Sequence, residues 1–146
     1  MINNDYLTMD ELSRVMNYNN EETKVTRDIL LFSCLTGLEF SELDIIQVGD
    51  FQADAEGKRW LHLYNELPLH FDKILVTPAL AKIVDRNIIN KNKKDMLFIF
   101  PSKTELRKHF WLIGKYCELG CEPTKSTGRA TCEHNYEYVS KHDLII

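Results

Sequence analysis

An α+β fold, mainly helical with one small three-stranded antiparallel sheet, is what this sequence predicts, and three observations carry the prediction. Apolar residues recur at helical spacing in the first and last thirds of the chain; Leu106, Phe110, Ile113 and Cys117, for example, stand at steps of 4, 3 and 4, the period of one buried helix face. Between about 48 and 76 the pattern shortens to strand-like alternation around Ala55-Glu56-Gly57, a turn-forming tripeptide. Helix punctuation stands where such a reading needs it, with Gly37 and Gly120 past helix ends and Pro78 at a helix start.

At 146 residues the chain reads as one domain, 1–146, large enough to bury a single core. With 44% hydrophobic and 27% charged residues, its composition is that of a soluble globular protein. No apolar run approaches a membrane span, and the polar start Met1-Ile2-Asn3-Asn4-Asp5 is unlike a signal peptide. Four irregularly spaced cysteines then read as reduced thiols, so a cytoplasmic chain with no membrane partner is expected.

Charge is unevenly spread. Residues 1–90 hold 8 Lys+Arg against 15 Asp+Glu, a balance of −7, while residues 91–146 hold 10 against 7, a balance of +3. The net −4 argues against tight binding of duplex DNA, which asks for a basic footprint, and the C-terminal third keeps a weak, local version of one.

The elements follow in order. Leu7-Thr8-Met9-Asp10-Glu11-Leu12 opens a helix, with Thr8 and Glu11 at capping-box spacing and Leu12, Val15 and Met16 as its apolar face. After the polar break Tyr18-Asn19-Asn20, a second helix is expected from about Glu21 to Thr36, ending at Gly37. A short third helix restarts with Ser41 as N-cap and Glu42 and Asp44 in its first turn. The turn between these helices holds position 39 aimed away from the packed side. Strands are expected over Val48–Gln52, Arg59–Tyr64 and Lys73–Val76, then a helix from Pro78 to about Asn90. Asn90-Lys91-Asn92-Lys93-Lys94-Asp95 is a basic loop, read either as solvated surface or as a phosphate contact. Ser102 precedes the last long helix, and Gly120 closes it.

Several of these segments together resemble the catalytic domain of the tyrosine recombinases, the phage integrase family. Leu7-Thr8-Met9-Asp10-Glu11-Leu12 resembles the family's Leu-Thr-x-x-Glu-Leu opening, and Thr36-Gly37-Leu38-Glu39-Phe40-Ser41-Glu42-Leu43 its T-G-L-R-x-S-E-L motif. Leu97-Phe98-Ile99-Phe100-Pro101-Ser102 and Lys125-Ser126-Thr127-Gly128-Arg129-Ala130-Thr131 resemble its hydrophobic-Phe-Pro-x-Ser entry into a long helix and its Thr-His-x-x-Arg-His-Thr box. The resemblance spans about residues 6–132 and implies the recombinase catalytic-domain-like version of the predicted fold. It also implies a domain without the family's N-terminal DNA-binding domain and without the C-terminal segment that bears its nucleophilic tyrosine; Tyr136 and Tyr138 lie too near the arginine box for that role.

The family joins DNA through a covalent phosphotyrosyl intermediate, with arginines clamping the scissile phosphate, a lysine protonating the leaving oxygen and a histidine aiding proton transfer. On these positions the chain keeps Arg129 alone. Glu39 replaces the first arginine, Ser126 the histidine, and the hairpin stretch Tyr64 to Phe71 contains no lysine; Lys73 falls out of register with the motif. The resemblance therefore implies DNA integration and recombination as the class and DNA as the partner, in weak contact through Arg129, Lys125, Lys91, Lys93 and Lys94. It implies no cofactor, and no cleavage by this chain alone. An intact recombinase or a second copy of the chain is the other expected partner, and a Glu39–Arg129 salt bridge is expected to close the altered site.

Two other readings compete. A non-catalytic interaction or self-association module would present an exposed apolar groove to a protein. Cys117, Cys121, Cys132 and His134 supply zinc-type ligands at C-x3-C and C-x-H spacing, but Cys117 belongs to the buried stripe of the last helix, so structural cysteines and no metal are expected.

Overall fold

The structure is a computed structural model that describes residues 7–63 and 73–120. Its elements are α1 (Met9–Met16), α2 (Lys24–Thr36), α3 (Phe40–Leu43), β1 (Phe51–Ala53), β2 (Arg59–His62), β3 (Lys73–Leu75), α4 (Pro78–Asn87) and α5 (Lys103–Tyr116). The fold is α+β and mainly helical, and its one described sheet is antiparallel in the order β1-β2-β3. Among the described residues no helix is long and apolar enough to cross a membrane. The chain forms two compact units, one from Met1–Phe40 with Phe100–Ile146 and the other from Ser41–Ile99.

In the first unit α2 packs against both α1 and α5. The expected capping box starts α1: the Thr8 hydroxyl accepts from the Glu11 amide at 3.1 Å, and the Glu11 carboxylate accepts from the Thr8 amide at 2.9 Å. Val15, Ile29, Phe32 and Ile113 have no exposed surface, and Phe40 stacks on Phe110 with ring centroids 5.4 Å apart. Helix α2 begins at Lys24, later than predicted, because the Asn20 carboxamide oxygen accepts from the Glu22 and Thr23 amides and holds that stretch in a turn. At the far end of α5 the helix stops before Gly120. Cys117 is its C-cap, Glu118 takes the left-handed conformation at φ 54°, and the Leu119 amide reaches back to the Gly114 carbonyl at 3.0 Å. That is a Schellman closure with a glutamate where glycine is favoured.

The second unit is built on the sheet. Phe51, Leu61 and Ile74 stand in register on one face, where Leu61 is fully buried, and Gln52, Trp60 and Leu75 on the other. The predicted strand over Val48–Gln52 is shorter than expected. Val48–Asp50 is a 3-10 turn, closed by the Gln47 amide donating to the Asp50 carboxylate at 2.9 Å. The amides of Val48 and Gly49 are spent on the Asp95 and Lys93 carbonyls, so they cannot pair with β2. A Cβ on Gly49 would sit 2.9 Å from the Lys93 carbonyl oxygen, so the approach requires glycine.

At the β1–β2 hairpin the Asp54 carboxylate accepts from the Trp60 indole N–H and from the Glu56 and Lys58 amides, with Gly57 at φ 84°. The Trp60 bond above all, then the amides, hold the Asp54 carboxyl below the usual carboxylate range despite the desolvation that opposes them. Helix α4 starts as predicted, with Thr77 as N-cap and Pro78 in the first turn. It ends at Asn87 instead of Asn90, where the Asn87 side chain bonds the Ile83 carbonyl and Asn90 turns left-handed at φ 61°.

Candidate functional site

The turn after α2 is built as the sequence leads one to expect. Gly37 caps the helix at φ 76°, its amide donating to the Ser33 carbonyl at 2.8 Å. The Thr36 hydroxyl donates to the Phe32 carbonyl at 2.7 Å and accepts from the Leu38 amide at 3.2 Å, while the Ser33 hydroxyl donates to the Leu38 carbonyl at 2.7 Å. These bonds fold the chain back so that Leu38 and Phe40 are buried and Glu39 between them is exposed. Two anchored neighbours thus present one carboxylate from a turn with little freedom. Ser41 is not the N-cap of α3: the helix starts at Phe40, two residues earlier than that reading requires, and Ser41 lies inside it.

The lysine loop belongs to the other unit, and its three cations differ in kind. Lys91 is tied down, its ammonium donating to the Leu97 carbonyl at 2.7 Å and the Met96 carbonyl at 3.2 Å. The Lys93 and Lys94 side chains are exposed, and the Lys93 carbonyl receives the Gly49 amide. Lys73 lies on β3 with its ammonium 4.4 Å from the centroid of the Trp60 ring, a cation–π contact. Lys125, Ser126 and Arg129 lie outside the described residues, and with them the expected Glu39–Arg129 pair.

Charged and polar groups that sequence reasoning did not single out stand around α2. Arg27 and Asp28 are both buried and paired at 3.1 Å, and the Arg27 guanidinium also donates to the Tyr18 carbonyl at 2.7 Å and the Asn19 side chain at 3.1 Å. His109 of α5 is buried with its Nδ1 2.7 Å from the Thr26 hydroxyl. Arg14 of α1 donates to the Cys117 carbonyl at 2.6 Å and the Glu118 carbonyl at 3.2 Å, and pairs with Asp10, closing the carbonyl end of α5 with a cation. No motif marks these residues, because nothing in their spacing tells a buried charge from a solvated one.

Burial pushes the Cys117 thiol up to about 11, with Arg14 pulling weakly the other way. Among the described residues no group of three or more His, Cys, Asp or Glu side chains is placed to hold a metal ion; Cys121, Cys132 and His134 lie outside them.

The chain matches no protein-family model and no curated protein.

Proposed function

We propose that this chain is a tyrosine-recombinase-like domain of the DNA integration and recombination class that contacts DNA at most and does not cut it on its own. The observation that carries the proposal is the Thr36–Phe40 turn. Its glycine cap and its paired hydroxyl bonds hold position 39 outward between two buried anchors, the support a phosphate-clamping side chain needs. The side chain there is a carboxylate. At an effective dielectric of about 20, a cation about 4 Å from a phosphate gains roughly 4 kcal/mol, and an anion loses as much. A swing approaching ~8 kcal/mol separates Glu39 from the arginine of the family motif.

In this reading the chain works among reduced cytoplasmic thiols, and Arg129, Lys125, Lys93 and Lys94 meet the phosphate backbone. Lys91 contributes less, because its ammonium is already engaged with two carbonyls. Fluorescence anisotropy of a labelled duplex across salt concentrations tests the reading. The expected result is weak binding whose logarithm falls with log salt by roughly 0.9 per phosphate neutralised, weakened by Arg129→Ala and strengthened by Glu39→Arg. Indifference to both substitutions sinks it.

The second reading, a self-association module, is favoured by apolar side chains left in water. Ile45 is 66% and Met96 41% exposed, in neighbouring segments joined by the Leu97 amide to the Ile46 carbonyl and by a Gln47–Met96 bridge. Light scattering that grows with protein concentration, and stops growing in Ile45→Lys, would favour it over a monomeric DNA contact.

A further inference from the structure

The solvent side of α5 is the most strongly cationic element among those described. The helix carries Lys103, Arg107, Lys108 and Lys115 against Glu105 as its only carboxylate, in a chain whose net charge is −4. Lys103, Arg107, Trp111 and Lys115 follow one another at steps of four. On a helix that spacing sets them along one ridge, each about 6 Å further along the axis than the last. The opposite side of the same helix is apolar and buried through Leu106, Phe110 and Ile113.

All four ridge residues are exposed. Neither Lys103 nor Arg107 pairs with an acidic side chain among the described residues, and Lys108 at the flank spends its charge on a solvent-exposed pair with Glu22, an interaction of small worth. Trp111 is 42% exposed in the middle of the ridge, with the Lys115 ammonium 4.9 Å from its ring centroid.

We propose that this ridge binds single-stranded nucleic acid, with an unpaired base stacking on Trp111 and the flanking Lys103, Arg107 and Lys115 meeting phosphates. Charge chooses a polyanion. The tryptophan chooses which one: a part-exposed indole among cations adds nothing to a plain phosphate contact, whereas unpaired bases stack on such a ring whatever their sequence once the Lys115 ammonium moves from it to a phosphate. An acidic peptide would satisfy the cations and leave the ring unused. The inference stands on α5 alone and does not depend on the recombinase resemblance, which concerns duplex DNA and the residues around Glu39 and Arg129.

The test is intrinsic fluorescence of the Trp60→Phe variant, in which Trp111 is the remaining tryptophan, titrated with oligothymidylate at low salt. Anisotropy of the labelled oligonucleotide runs beside it against the unsubstituted chain, Trp111→Ala and Arg107→Ala. The expected result is quenching of Trp111, affinity at least about ten-fold weaker in Trp111→Ala, and a salt slope lowered by roughly 0.7 in Arg107→Ala. Circular dichroism of Trp111→Ala and Arg107→Ala should show the helix content retained, since both side chains are exposed. No quenching, or binding indifferent to Trp111→Ala, overturns the proposal. So does polyglutamate competing as well as oligothymidylate, which would make the ridge an acidic-protein contact. Arg129→Ala separates the two functional readings: it should weaken duplex binding and leave oligothymidylate binding unchanged.

Discussion

Glu118 carries a side chain in a conformation that glycine would adopt at no steric cost. At φ 54° it closes α5, its carbonyl held by Arg14 and the following Leu119 amide bonded back to Gly114. A non-glycine residue there costs about 1 kcal/mol or more. Glu118→Gly should therefore raise stability by about 0.5–1 kcal/mol after the added flexibility of the unfolded chain is discounted, seen as a higher denaturant midpoint at constant slope. An unchanged or lower midpoint would mean that the glutamate is not strained there. Gly37 is the converse: at φ 76° it sits where the sequence placed it, because a glycine after an apolar helical run has few other uses. Position 118 offered no such signal. Gly120 stood nearby and drew the helix end to itself, although the backbone had already turned at Glu118.

At the scale of elements, local chemistry was right about the starts of α1 and α4 and wrong about those of α2 and α3. Thr8 with Glu11, Pro78 and Ser102 stand where helices open, and Thr77, which the sequence reading passed over, caps α4 with its own hydroxyl. Ends and strands depended on distant partners. Val48 and Gly49 fit a strand pattern, yet their amides go to the Asp95 and Lys93 carbonyls, more than forty positions away, and the strand shrinks to Phe51–Ala53. Helix α2 holds the least legible feature, the buried Arg27–Asp28 pair, because adjacent helical residues do not normally face one another. Arg27→Ala should cost about 3–5 kcal/mol in chemical denaturation, since it leaves Asp28 buried without that cation and the Tyr18 carbonyl without a donor. A loss under about 1 kcal/mol would show that the pair is dispensable.

For the molecule as a whole, the proposed reading is a DNA contact without cleavage. A metal-free phosphoryl transfer of the recombinase type needs converging cations, and under the proposed reading Glu39 stands where that family's motif has an arginine. Incubation with a nicked duplex, read on a denaturing gel, should give no covalent protein–DNA species at any salt concentration; a shifted band would refute this. Basic residues nevertheless gather on particular elements, the lysine loop in one unit and α5 in the other. Surface readings of this kind were only half visible beforehand. The run of three lysines in the 91–94 loop is obvious to the eye, yet Lys91 is turned inward onto carbonyls. The ridge of α5 shows no run at all until the helix brings every fourth residue together.

The sequence by itself determined the class of fold, the starts of α1 and α4, the end of α2 at Gly37 and the outward turn at position 39, because periodicity, capping hydroxyls and a left-handed glycine act within a few residues of themselves. Tertiary structure alone decided which charges are buried, where β1 begins and α5 ends, and which exposed cations share a face. Each of those depends on a partner that lies far along the chain or one helical turn away.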